Sequence, residues 1–153
     1  MRPSLARAYR TTAYAVVRPS NSDNGAAELV LHPDRYDPAT DAWLRAERVN
    51  QAVLLTAWNP ASRRHAATEN HAADAALKAW LDKGGYRWLP AEYRATDPAW
   101  TEAGVAILGM PRRIGTILAR QLGQNALLFT RLGSRPQLIR TRRNSVDESL
   151  RLS

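Results

Sequence analysis

The alternation of apolar and polar residues along the 153-residue chain predicts a succession of short strands and longer helices. Apolar runs of about four to eight residues are typical of strands, whereas apolar residues spaced three or four positions apart over longer segments are typical of helices. The strand pattern occurs at residues 12–17, 28–32, 52–58, 86–93, 104–108, 126–130 and 137–140. The helix pattern occurs at residues 37–48, 63–83 and 111–122, after a short helical lead-in at residues 5–9.

The order of these segments decides between two classes of fold. Strands follow one another directly at three places, which argues against the regular strand–helix alternation of a parallel α/β protein. We therefore expect a single α+β domain over residues 1–140, with a mixed, mostly antiparallel sheet of five to seven strands and about three helices packed on it. The continuous apolar run at residues 52–58 is typical of a strand buried on both faces. Residues 141–153 are expected to form a polar, flexible tail.

Composition narrows the classes of protein to which the chain can belong. The absence of cysteine excludes a disulfide framework, a thiol nucleophile and a thiolate metal site. No apolar run approaches the roughly 20 residues that a membrane helix needs, and the first residues lack the apolar core of a signal peptide. We therefore expect a cytoplasmic protein with no membrane partner.

The net charge of +8 is concentrated in one part of the chain. Residues 111–143 contain eight arginines and no acidic residue, so the remaining 14 basic residues balance the 14 acidic ones. Such a basic stretch is typical of a nucleic-acid or protein-interaction module. Arginine outnumbers lysine by 20 to 2, however, and a coding bias accounts for that ratio equally well.

Polar side chains crowd the segment that follows the strand at residues 52–58. An Asn-Pro turn at Asn59 leads to Ser62, Arg63 and a second arginine before the next helix. In one interpretation Asn59 or Ser62 caps that helix. In the other, the free N–H groups and positive dipole of the helix start act with Ser62 and Arg63 to bind a phosphate or carboxylate. The sequence leaves both interpretations open.

Three further amide side chains are predicted to lie near this junction. Asn70 falls on the apolar stripe of the predicted helix, and an unpaired buried amide costs roughly 1–3 kcal/mol, so it must find partners such as the backbone at residues 58–59. Gln124 and Asn125 lie between a helix and a strand, where they cap the helix or contribute to a site. If that strand runs antiparallel to residues 52–58, all of these polar residues meet at one end of the sheet. The predicted group is Asn59, Ser62, Asn70, Gln124 and Asn125.

Trp100 and Glu102 precede the apolar strand at residues 104–108 and are candidates for a further wall of the site. A solvated glutamate beside a packing tryptophan is one interpretation. The other is a glutamate whose pKa an apolar wall raises, so that it can act as a general base. The histidines do not have the spacing of a zinc motif, and no glycine-rich phosphate loop is present, so we expect no metal and no cofactor.

Several of these residues lie in blocks that together resemble one bacterial family. The blocks are Leu-Thr-Ala-Trp-Asn-Pro-x-Ser at residues 55–62, Glu69-Asn70, Trp100-x-Glu102 and Leu-Gly-Gln-Asn-Ala at residues 122–126. In order and spacing they resemble the family catalogued as domain of unknown function 3293, over about residues 8–140. The resemblance implies a small cytosolic bacterial α/β domain and implies no reaction.

The expected function is recognition of a small polar or anionic ligand at residues 59–62. Asn59, Ser62 and Arg63 would contact the ligand, and the other amides and the Trp100–Glu102 pair would surround it. Whether the protein is an enzyme stays open, and Glu102 is the candidate catalytic residue for a hydrolysis or group transfer. The alternative is a nucleic-acid or protein-interaction module that uses the arginine-rich face at residues 111–143.

Overall fold

A computed structural model describes residues 3–18, 28–97 and 100–141 of the chain. Its strands are β1 (Ala13–Val17), β2 (Glu28–Leu31), β3 (Gln51–Leu55), β4 (Trp88–Arg94), β5 (Thr101–Leu108), β6 (Ala126–Arg131) and β7 (Gln137–Arg140). Its helices are α1 (Pro3–Thr11), α2 (Pro38–Ala46), α3 (Ala67–Lys83) and α4 (Arg112–Gln121). A tight turn over Pro60–Ser62 separates β3 from α3. The predicted order of strands and helices is confirmed.

The seven strands form one sheet in the order β2-β1-β4-β5-β3-β6-β7. Every described pair of neighbours is antiparallel, including β3 with β5 and β3 with β6. The end of β3 therefore lies beside the beginnings of β5 and β6, and the end of β4 lies beside the beginning of β1. The predicted α+β domain with a mostly antiparallel sheet is confirmed, and this arrangement brings the end of β3 to the same end of the sheet as the end of β4 and the beginnings of β1, β5 and β6.

Helices cover both faces of the sheet. On one face, Trp43 and Leu44 of α2 pack against alternate residues of the central strands, including Leu54. On the other face, α3 and α4 pack against a second core cluster that contains Val53 and Leu55. Because successive side chains of β3 point to opposite faces, both core clusters need apolar residues from it. This is the physical reason for its continuous apolar run, and the prediction of a strand buried on both faces is confirmed.

Strand β3 ends three residues earlier than the apolar run predicts. After Leu55 the Thr56 hydroxyl donates to the carbonyl oxygen of Ala103 at 2.7 Å and accepts the N–H of Trp58 at 3.0 Å. At this position the side-chain bonds of Thr56 take the place of backbone hydrogen bonds between strands, and the chain leaves the sheet. Residues 56–58 therefore connect the sheet to the polar junction.

The C-terminal boundary of the described part lies on the same end of the sheet. The Thr141 side chain is buried, its N–H donates to the Asn125 carbonyl oxygen at 3.0 Å, and its hydroxyl donates to the carbonyl oxygen of Gln124. The predicted flexible tail comprises residues 141–153; these bonds hold Thr141 in place, and residues 142–153 lie outside the described residues. Within the described ranges no helix has the length and apolar character that crossing a bilayer requires.

Candidate functional site

A cavity of about 630 Å³ opens at the end of the sheet where β3 ends. Because of the antiparallel order, its walls come from α1, from β1, β4 and β5, from the junction after β3 and from the beginning of β6. Its volume lies within the range of about 300–1,000 Å³ that is typical of small-molecule sites. The polar residues of the predicted site that line it are Asn59, Ser62, Glu102 and Gln124.

Four described aromatic side chains contribute to the cavity wall. The rings of Tyr14 of β1 and Tyr93 of β4 pack at a tilt of 55° with centroids 4.9 Å apart, while Tyr9 of α1 and Trp100 line the cavity beside them. The Tyr93 hydroxyl lies 2.7 Å from the Val105 carbonyl oxygen and 3.1 Å from that of Leu55. These contacts fix the Tyr93 ring in the wall.

Gly104 is required for this position of Tyr93. A Cβ atom at Gly104 would lie 2.7 Å from the Leu55 carbonyl oxygen and would overlap the Tyr93 ring. Such distances are shorter than any stable contact, so a larger residue would displace the ring. The glycine therefore lets the aromatic wall pack directly on the sheet.

The junction after β3 has an unusual backbone. Asn59, Ala61 and Ser62 have φ angles of 47°, 57° and 59°, and they make up three of the five non-glycine residues with positive φ in the described part of the chain. Each such residue is strained, and strain of this kind persists where surrounding contacts fix it and clusters at functional sites. Here the Ala61 N–H donates to the Gly123 carbonyl oxygen at 2.7 Å, which ties the junction to the end of α4.

Asn59 and Asn70 hold each other through two hydrogen bonds of 2.9 Å. The backbone N–H of Asn59 donates to Oδ1 of Asn70, and Nδ2 of Asn70 donates to Oδ1 of Asn59. The same Oδ1 of Asn59 accepts the N–H of His65 at 2.9 Å. The predicted role of Asn70, a buried amide that holds the preceding turn, is confirmed.

The helix-capping interpretation of the junction is wrong. Helix α3 begins at Ala67, four residues later than predicted, and its N-cap is Ala66 without a side-chain bond. The side-chain oxygen of Asn59 bonds Asn70 and His65 instead, and Ser62 lies in the preceding tight turn. The helix start is consequently not part of the turn that carries the candidate residues.

Glu102 is the less exposed of the two acidic residues, Asp97 and Glu102, that are described in the cavity wall. Its Oε2 accepts Nδ2 of Asn59 at 2.8 Å, and its carboxylate also accepts a hydrogen bond from the Trp100 side chain. Burial raises the pKa of Glu102 from 4.5 to about 6, although the bonds from Asn59 and Trp100 lower it. Burial outweighs two neutral donors because it disfavours the charged form of the carboxyl group.

A second polar chain runs along the opposite side of the junction. Asn125 donates through Nδ2 to the Ser62 hydroxyl at 3.0 Å, and that hydroxyl lies 2.6 Å from the hydroxyl of Tyr9. Gln124 donates through Nε2 to the Trp58 carbonyl oxygen at 3.0 Å. Burial raises the pKa of Tyr9, so its hydroxyl keeps its proton at neutral pH.

The structure therefore brings together most of the residues that the sequence singled out. The residues that meet through hydrogen bonds or shared cavity walls are Asn59, Ser62, Asn70, Trp100, Glu102, Gln124 and Asn125. Arg63 does not join them, since it is exposed and does not line the cavity. The two residues before it, Ala61 and Ser62, both have positive φ angles.

Three tyrosines of the cavity were not predicted as site residues. Tyr14 and Tyr93 alternate with core residues in their strands, so the sequence pattern alone assigns them to packing. Tyr9 lies in the short helix α1, and its position over Ser62 depends on how that helix packs. Strand alternation could have placed Tyr14 and Tyr93 on one face, whereas nothing in the sequence pattern indicates the contact of Tyr9.

A smaller cavity of about 280 Å³ adjoins the first. Asn59 and Trp100 line both, and the smaller one is bounded in addition by Trp58, Arg64, His65 and Asn70. The Arg64 guanidinium lies 4.7 Å from the centroid of the Trp100 ring. Across the three described ranges, no group of three histidine, aspartate or glutamate side chains is placed to hold a metal ion.

Comparisons with known proteins identify a family and no function. No curated protein and no solved structure matches the chain. A family model described as protein of unknown function (DUF3293) matches residues 55–127. The matched segment contains the junction, Trp100, Glu102 and both C-terminal amides of the site, whereas Tyr9 and Tyr14 lie before it. This match supports the predicted resemblance to the protein family of unknown function DUF3293 over residues 55–127.

Proposed function

We propose that the protein recognises a small organic ligand in the 630 Å³ cavity. The observation that carries this proposal is a largely desolvated carboxylate, Glu102, on the wall of a cavity whose lining is mostly apolar and includes four aromatic side chains. A mostly apolar pocket with a few convergent polar groups and a perturbed pKa is the usual form of a small-molecule site. The aromatic walls would enclose the apolar body of the ligand, and the junction would hold its polar end.

The cavity contains hydrogen-bonding groups that can bind the polar end of a ligand. A carboxylate can accept about four hydrogen bonds, and Glu102 receives bonds from the side chains of Asn59 and Trp100. Ser62 and Tyr9 form a hydroxyl pair at 2.6 Å that can rotate to donate to a ligand or accept from it. The strained backbone at residues 59–62 adds support, since such strain is retained where a defined geometry is needed.

The charged side chains around the cavity argue against an anionic ligand. The cation that the sequence offered for an anion, Arg63, does not line the cavity. Arg7 does line it but is exposed, where water screens its charge. Because the Glu102 carboxylate repels an anion, the proposal favours a ligand whose polar end is neutral or positively charged.

Glu102 also suggests what chemistry the site could perform. A general base works best when its pKa lies close to the working pH, and burial raises the pKa of Glu102 to about 6. If the protein converts the bound ligand chemically, we infer that Glu102 accepts a proton in that reaction. Asn59 and Trp100 would orient its carboxylate. The reaction class would be hydrolysis or group transfer.

A metabolite-library thermal-shift screen tests the proposal. A ligand that binds the folded state stabilises it by RT ln(1 + [L]/Kd), about 2.7 kcal/mol at a hundredfold excess over Kd. The site variants Ser62→Ala and Glu102→Gln should lose the stabilisation by a hit. The matched controls Ser134→Ala and Glu28→Gln should keep it, because neither residue lines the cavity. A hit that stabilises all four variants equally would contradict the proposed location.

The second candidate function uses the arginine-rich face. Five described arginines of this stretch are exposed, and no ion pair among the described residues includes them: Arg112, Arg113, Arg131, Arg135 and Arg140. Uncompensated arginines favour contacts with phosphate groups. Binding of duplex DNA or RNA that weakens with salt, and that is lost on replacing Arg112 and Arg113 by serine, would favour this function over the cavity.

The proposed location is the bacterial cytoplasm. A chain without cysteine fits a reducing compartment. Fractionation of the native host, followed by detection of the protein, tests this point separately from ligand binding.

A further inference from the structure

We propose that the polar end of the ligand is an organic cation, an ammonium group held between the Glu102 carboxylate and the aromatic walls of the cavity. This inference rests on the proposed function, because it names the chemical class of the ligand that the cavity would take. Its two independent supports are the charge inside the cavity and the aromatic composition of its walls.

The first support is an uncompensated negative charge. Among the residues that the structure describes, three charged side chains line the cavity, and two of them, Arg7 and Asp97, are exposed. Glu102 is withdrawn from solvent, and its described hydrogen bonds come from the neutral side chains of Asn59 and Trp100. No ion pair within the described ranges involves it. A buried charge without a counter-charge is unfavourable, so a cationic ligand would supply what the protein lacks.

The second support is the aromatic wall. The negative π-faces of tyrosine and tryptophan rings attract cations, and aromatic cages are the common way in which proteins bind ammonium ligands. Four aromatic side chains contribute to this cavity: Tyr9, Tyr14, Tyr93 and Trp100. These electron-rich rings and the Glu102 carboxylate would attract the same charge and repel the opposite one.

The Trp100 ring already attracts a cation within the protein. Arg64, which lines the smaller cavity, lies with its guanidinium 4.7 Å from the Trp100 ring centroid. Trp100 also lines the larger cavity and bonds Glu102 through its side chain. An ammonium group in the larger cavity would therefore meet this aromatic residue and the carboxylate together.

The volume of the cavity indicates the size of the apolar body. About 630 Å³ accommodates an ammonium group that carries an aryl or alkyl substituent. Three compounds with one aryl body and different polar ends separate the possibilities: phenethylamine, phenethyl alcohol and phenylacetate. They represent a cation, a neutral donor and an anion.

Isothermal titration calorimetry of the full chain with these three compounds tests the inference. We expect phenethylamine to bind about tenfold or more tightly than phenethyl alcohol, since hydrogen bonds to charged groups are the stronger ones, and phenylacetate to bind most weakly. In Glu102→Gln, which keeps the side-chain volume and an acceptor for Asn59, the preference for the amine should vanish. In the control Glu28→Gln, which removes an exposed carboxylate of β2, the preference should persist.

A second variant guards against a folding defect in Glu102→Gln. Glu102→Asp keeps a carboxylate at this position on a shorter side chain, so it should retain a preference for the amine that Glu102→Gln loses. Phenylacetate binding as tightly as the amine, or an amine preference that survives Glu102→Gln, would overturn the inference. Neutral or anionic hits from the metabolite library that need Glu102 or Ser62 would overturn the ammonium proposal and leave the proposed function standing. The proposed function itself fails if no compound of the library stabilises the protein.

Discussion

Asp41 and Glu102 are both withdrawn from solvent, yet their pKa values shift in opposite directions. Asp41 of α2 accepts the Gly133 N–H at 3.0 Å through Oδ1 and the Tyr36 hydroxyl at 2.8 Å through Oδ2. The backbone bond from Gly133 and the bond from Tyr36 lower the pKa of Asp41. Burial raises the pKa of Glu102 to about 6, because the bonds from Asn59 and Trp100 do not offset the lost hydration.

The surroundings of each carboxyl group decide whether it is structural or reactive. Asp41 links α2 to the turn between β6 and β7, and its charge is satisfied by donors on two elements. Glu102 faces a cavity and holds its proton more tightly than an ordinary glutamate does. A group in that state is available to a ligand or to a proton transfer.

The largest expected effect comes from breaking the amide pair that supports Glu102. Asn70→Ala leaves the buried N–H of Asn59 without its acceptor and removes the donor to Asn59 Oδ1. Because each unsatisfied buried polar group costs about 1–3 kcal/mol, we expect the free energy of unfolding to fall by roughly 3 kcal/mol in a urea titration. The control Asn50→Ala, at an exposed position, should change it by less than about 0.5 kcal/mol.

Because the pKa values of Glu102 and Asp41 shift in opposite directions, removing each charge should change the free energy of unfolding in opposite directions. A raised pKa means that ionisation of Glu102 destabilises the fold as pH rises from 4.5 to about 6, and that the full effect is present above that range. Glu102→Gln should therefore raise the free energy of unfolding at pH 7 by up to about 2 kcal/mol, and by little at pH 4. Urea titrations at the two pH values measure this difference.

Asp41→Asn should act in the opposite direction. A lowered pKa means that ionised Asp41 stabilises the fold above its unfolded pKa, and that this stability is lost as pH falls through its folded pKa. The variant should lower the free energy of unfolding at pH 7 and make it less sensitive to acid. If both substitutions destabilise the protein at pH 7, the contrast between the two carboxylates is wrong.

A smaller effect is expected at the hydroxyl pair of the cavity. Tyr9→Phe removes the bond to Ser62, the described side-chain bond that joins α1 to the junction. Since one intramolecular hydrogen bond contributes about 1 kcal/mol, we expect a loss of that size and faster amide exchange in α1. Tyr36→Phe, which removes a hydroxyl bond at a half-exposed position, is the matched control and should leave exchange in α1 unchanged.

The class of fold and most of the candidate site could be predicted from local patterns in the sequence. The apolar run before Asn59 showed that β3 is central, and the antiparallel pairing of β3 with β6 then placed Asn59 and Gln124 at one end of the sheet. Asn70 was identifiable because a polar residue on an apolar stripe must have a buried partner. These inferences depended on periodicity and on hydrogen-bond requirements, which are local properties.

The features that were not predicted depend on backbone angles and packing. The αL conformations at Ala61 and Ser62 delay the start of α3 and leave Arg63 exposed, although neither residue type favours positive φ. The contact between Tyr9 and Ser62 spans 53 positions and follows from the docking of α1. The pKa of Glu102 depends on burial, which a sequence position does not specify.

The most direct test of the account is a carboxyl-carbon NMR titration of Glu102 and Asp41 in one sample, with and without phenethylamine. Without the amine, Glu102 should titrate with a pKa of about 6, and Asp41 should titrate below its ordinary value of 3.8. A bound cation favours the charged carboxylate, so the amine should lower the pKa of Glu102 and leave that of Asp41 unchanged. A Glu102 that titrates at 4.5, or whose titration the amine does not alter, would contradict the account.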